Sequence, residues 1–259
     1  MRPPDELDDV DWAGHEHGWA VPPLVRMLYA DYPDFDRNGF GGLKSHLCDL
    51  GLAQRRSTVL SVPFLAHAAL HSEFFPGQAL SVLSRFADAD DGARDPGLEV
   101  REAVAGEAAG LLPCLEFADP GLRQFALQVL GGCAHSLGTD DQARVTAAVL
   151  HVFEHDLDRD VSADALTLLL LLGDESACAP RVDSALGSAD PVIRLTGLLC
   201  ALEAGYLQDP AERAAAVEEA GKLAARHPGG HFGFPVVGTR QDRARRAFRA
   251  LQTVYRDGV

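Results

Sequence analysis

Lysine is nearly missing from this chain. Only Lys44 and Lys222 stand among its 23 basic residues, and the other 21 are arginine. That skew fits the base composition of a GC-rich bacterial genome better than any chemical need. Aromatic residues are few, at 7%, so packing falls to Ala and Leu, which suits closely approaching helices. No strongly apolar run exceeds Leu166–Leu172, far short of the about 20 residues a spanning helix requires. The opening Met1-Arg2-Pro3-Pro4-Asp5-Glu6 lacks the apolar stretch of a secretory signal. Cys48, Cys114, Cys133, Cys178 and Cys200 make an odd set with no CxxC, which disfavours a disulfide framework and points to a reducing compartment. Strand signals are as scarce, since Pro235-Val236-Val237 is too short to count. A cytoplasmic protein with no membrane contact is expected.

What the chain does have is negative charge, unevenly spread. The net charge is −15 over 259 residues. Residues 239–259 hold six Arg against Asp242 and Asp257, or +4, which leaves 17 basic and 36 acidic groups, or −19, in residues 1–238. A body this acidic repels a phosphate backbone, whose binding needs several Lys or Arg contacts. Nucleic acid is therefore not expected as a partner, and a basic protein is.

One short phrase recurs three times. An Asp opens a turn, an apolar helix follows, and a small residue stands seven positions after the Asp. The copies run from Asp119 to Ala126, from Asp158 to Ala165 and from Asp190 to Gly197. Their spacings of 39 and 32 residues lie in the range where periodicity means stacked helical hairpins. Helix signals surround them. Thr139-Asp140-Asp141-Gln142 reads as a capping box leading into the stripe Val145, Val149, Val152 and Phe153. A nearly all-apolar helix follows from Val161 to Leu172, stopped by Gly173. Pro180 is expected to open a short helix over 181–186, and Pro113 to bend the helix over 100–117. Asp209-Pro210-Ala211-Glu212 caps a helix running through Arg226. A last amphipathic helix is expected over 240–255.

The pattern Asp-Pro-x-apolar-Arg between two helices, with a small residue inside the second, resembles HEAT repeats. The opening residues are more specific. Asp11-Trp12-Ala13, Val21-Pro22-Pro23-Leu24, Leu43 to Gly51 and Ser61-Val62-Pro63-Phe64-Leu65 resemble the start of actinobacterial HEAT-repeat proteins without assigned activity. The chain departs from the repeat pattern at Asp158–Ser162, where Pro and Arg are both replaced. The resemblance implies an all-α fold, a right-handed α-solenoid of about six hairpins. Residues 1–19 would form an N-terminal cap segment and 20–259 the repeat array with C-terminal capping helices. It also implies a protein-binding scaffold, while some helical-repeat relatives are lyases or DNA glycosylases.

Three places could carry chemistry or recognition. His151-Val152-Phe153-Glu154-His155 matches an HxxEH zinc-protease motif, in which His151 and His155 share a helix face and Glu154 would activate water. Its plain alternative is a pair of histidines near a helix C-terminus, where the dipole favours a cation. His67 and His71 repeat the same spacing on another helix, with His46 earlier in the chain. Two irregular segments interrupt the array. One holds Asp88, Asp90, Asp91 and Arg94; the other holds His231, Phe232 and Phe234. Either is a connector or a binding loop. The reading is a non-catalytic scaffold, needing no cofactor, for a basic protein partner. A narrower form is an immunity or inhibitor protein. The enzymatic alternatives are a metal-dependent hydrolase or a DNA-glycosylase-like protein.

Overall fold

The computed structural model describes residues 1–15, 18–31, 47, 56–87 and 98–226, and all regular structure among them is helical. The α-helices are Val21–Met27 (α1), Arg56–His71 (α2), Pro76–Ala87 (α3), Leu98–Leu111 (α4), Pro120–Gly132 (α5), Thr139–His155 (α6), Arg159–Leu171 (α7), Glu175–Leu186 (α8), Pro191–Glu203 (α9) and Pro210–Arg226 (α10). None is long and apolar enough to cross a membrane. The chain divides into two units, Met1–Val145 and Thr146–Val259. The last helix expected from the sequence, over 240–255, lies outside the described residues.

In the first unit α2 packs against α3 and α4, and α3 packs against α5. Second neighbours along the chain therefore pack together as well as first ones. The N-terminal segment lies against α2. Arg2 donates its backbone N–H to the Pro63 carbonyl at 3.0 Å, and its guanidinium sits 5.0 Å from the centre of the Phe64 ring. The Trp12 ring packs 6.0 Å from the same phenylalanine, while its indole N–H donates to the Leu7 carbonyl at 2.7 Å. The stretches around Trp12 and around Phe64 therefore meet. Pro113 acts as a helix stop. It places residues Leu112–Glu116 in a 3-10 turn after α4, as expected for a residue that lacks an N–H.

In the second unit α9 packs against α7, α8 and α10. Every residue of α7 from Val161 to Leu169 is buried. All three recurring Asp residues cap helices. Asp119 accepts from the N–H of Gly121 at 2.7 Å, and Asp158 accepts from Asp160 and Val161 at 2.9 and 3.1 Å. Asp190 accepts from Val192 and Ile193 at 2.8 and 3.3 Å. The small residues seven positions on, Ala126, Ala165 and Gly197, are all buried. Replacing Asp190 by alanine removes both bonds and is expected to lower stability by about 1 kcal/mol in urea titration. An unchanged midpoint would show that the cap contributes nothing.

The irregular middle copy has its own solution. Where the other copies carry Arg123 and Arg194, this one carries Ser162. Arg123 reaches back to the carbonyls of Phe117 and Ala118 at 2.7 and 3.0 Å. The Ser162 hydroxyl does the same over a shorter reach, donating to the Asp158 carbonyl at 3.1 Å. Arg194 instead meets Glu219 of α10 at 2.7 Å, a charge contact whose Nε finds no partner at hydrogen-bond angles.

Two helix starts differ from the sequence reading. Helix α8 begins at Glu175 because Asp174 accepts from the N–H of Ala177 at 3.1 Å, so Pro180 stands inside the helix and does not open it. Helix α6 already includes Thr139, and the Gln142 N–H bonds the Gly138 carbonyl at 2.8 Å, one residue earlier than a Thr139 cap would give. The stop at Gly173 agrees with the sequence, and a second glycine follows α9 in the same conformation. Gly173 and Gly205 have φ of 71° and 70°, the left-handed conformation that glycine adopts without a Cβ clash. After Gly205 the Tyr206 N–H returns to the Ala201 carbonyl at 2.9 Å.

Candidate functional site

The zinc-protease motif occupies the last turns of α6. His151, Glu154 and His155 are all exposed there. The two imidazoles lie 4.4 Å apart, nearly parallel at 27°. His155 Nδ1 contacts the His151 carbonyl at 3.0 Å. Glu154 turns instead to Arg181 of α8, with 2.6 Å between Nη2 and Oε1. A general base needs a carboxylate aimed at a metal-bound water; this one is committed to an ion pair. Among the described residues, no group of three or more His, Cys, Asp or Glu assembles a metal cage.

A second cluster joins α2 to the residues just after α1. The Tyr29 hydroxyl and His67 Nδ1 are hydrogen-bonded at 2.7 Å, and the His67 and His71 rings lie 4.3 Å apart at 41°. The end of α1 is fixed by two buried groups, Leu28 and Ser72, whose hydroxyl donates to the Leu28 carbonyl. Ser72 also accepts from the N–H groups of Phe74 and Phe75 at 3.2 and 3.0 Å. Burial pushes the Tyr29 phenol well above its ordinary range. Burial first, and then the His71 charge and the N-terminal amine, hold His67 below the usual imidazole value, against Asp5 and Glu6. Spacing alone flags His67 and His71. Nothing in the sequence flags Tyr29, which is 38 residues away from His67.

The described thiols are packing residues. Cys114, Cys133, Cys178 and Cys200 are free and buried. Burial pushes Cys114 and Cys133 up to about 12 and raises Cys178 and Cys200 as well. A thiol reacts as its thiolate, so these four are expected to resist a disulfide-exchange reagent at pH 8 until the chain is denatured. Rapid native reaction of two or more thiols would contradict this burial.

The acidic segment with Asp88, Asp90, Asp91 and Arg94 lies outside the described residues, as does the loop with His231, Phe232 and Phe234. His17, His46 and Cys48 also lie outside them.

Compared with family models, curated proteins and solved structures, the chain finds no match.

Proposed function

We propose that this chain is a non-catalytic interaction scaffold of HEAT-like type, built as a right-handed stack of helical hairpins, whose partner is a basic protein. One observation carries the reading. The same packing unit occurs at Asp119–Ala126, Asp158–Ala165 and Asp190–Gly197, each with a capped start and a buried small residue. Such units present long rows of helices and turns to a partner.

Charge supports a basic partner, although part of it has a structural use. Residues 146–226 hold fourteen carboxylates and six basic groups, or −8. Seven of the fourteen stand at helix starts: Asp158, Asp160, Asp174, Glu175, Asp190, Asp209 and Glu212. There they meet the positive end of a helix dipole and its unpaired N–H groups. The field a partner meets is therefore weaker than the bare count suggests. Asp183 of α8, exposed and away from a helix start, is the kind of carboxylate such a partner would read. An inhibitor or immunity protein acting on a basic target is a narrower form of the same proposal.

Affinity capture from the parent cell extract tests the proposal, with a basic protein as the expected bound species. A hydrolase reading would be favoured by catalytic turnover abolished in His151→Ala. Retention on heparin at physiological salt would instead favour nucleic acid.

A further inference from the structure

We propose that His67 and His71 on α2 chelate a divalent transition-metal ion, with Tyr29 as the positioning residue that holds the His67 ring. Residues four apart share a helix face, and the two rings are already in contact at 4.3 Å. A tetrahedral metal with bonds of about 2.0 Å to nitrogen needs its two donor atoms about 3.3 Å apart. The pair on α6 has the same spacing and a ring separation of 4.4 Å, with the rings at 27°.

The outer partner of the α2 pair comes from a separate element, whereas on α6 His155 Nδ1 contacts a carbonyl of its own helix. A metal-binding imidazole uses one nitrogen as ligand and donates from the other to an outer partner, which fixes the tautomer and the ring orientation. Tyr29 lies 2.7 Å from His67 Nδ1. In the metal-bound form Nδ1–H donates to the phenol oxygen and Nε2 faces the ion. Leu28 is fully buried and its carbonyl is bonded by Ser72, so the adjacent Tyr29 is held at a fixed position over α2. His71 is exposed, which leaves the remaining coordination positions open to water. Two imidazoles with water suit zinc, nickel or copper and not calcium or magnesium.

The full chain, freed of metal, is titrated with Zn²⁺ in competition with a chromophoric chelator. The His151→Ala/His155→Ala double variant is expected to keep its strongest site. His71→Ala, at an exposed position that leaves folding intact, is expected to weaken that site by about 100-fold or more, because two-point attachment is lost. Tyr29→Phe keeps the ring and removes only the hydroxyl, and is expected to weaken it by about 10-fold. It should also abolish the Nδ1-protonated tautomer signal of His67 in the ¹⁵N spectrum of the zinc form. Unchanged affinity in His71→Ala, or loss of the strongest site in the α6 double variant, would overturn the proposal. An unaltered zinc affinity in Tyr29→Phe would remove Tyr29 from it.

Discussion

Phe64→Ala is expected to lower the unfolding free energy by about 4 kcal/mol, the middle of the range for emptying a buried aromatic site. Phe64 is fully buried in the middle of α2, with Trp12 against one part of its ring and Arg2 over it. The substitution therefore leaves a cavity and also releases the contacts that seat the N-terminal segment. Trp12 reports this directly, because it is 6% exposed in the native chain. Its fluorescence should shift to the red before global unfolding. Phe64→Leu keeps most of the volume and should cost far less, with Trp12 still covered. A loss under about 1 kcal/mol for the alanine variant, with no change at Trp12, would show that the segment is held by something else.

Gly197→Val has the second large effect, in the other unit. A Cβ at Gly197 would stand 2.8 Å from the Ala185 Cβ and 3.0 Å from the Ala185 carbonyl carbon and the Leu186 nitrogen. Two of these three atoms are backbone, so rotating a side chain gives no relief and α8 must move away from α9. The expected loss is about 3 kcal/mol, at the high end for overpacking a close contact. Gly197→Ala is smaller because a gain of about 1 kcal/mol in helix propensity opposes the clash. Hydrogen exchange should localise the valine effect to α8 and α9 and leave α2 protected. Wild-type stability for Gly197→Val would mean that the two helices do not approach this closely.

These two sites show where sequence reading works and where it stops. Helix ends depend on residues within a few positions of each other, so Asp158, Asp190 and Asp209 as caps and Gly173 as a stop were legible. The small residue of the repeat was legible too, since periodicity exposes a position that neighbouring helices crowd. Pro180 misled because its preference for a first turn competes with Asp174, whose side chain starts α8 earlier. The Tyr29–His67 bond and the Arg2–Phe64 contact join residues tens of positions apart, and no local pattern announces them. Charge was half legible: the sum is correct, but the sequence alone does not separate carboxylates used at helix starts from those left for a partner. The candidate loops around Asp91 and Phe232 lie outside the described residues.

The most direct test of the scaffold reading is affinity capture from the parent cell extract, read at two ionic strengths. At about 0.05 M salt a basic protein should be retained, and at about 1 M, where the screening length falls to about 3 Å, it should be released. Removing the exposed carboxylate with Asp183→Lys should lower the amount retained at low salt, while Asp190→Ala, a capping change, should not. Capture of no protein at low salt, or of an acidic protein indifferent to salt, would contradict the account.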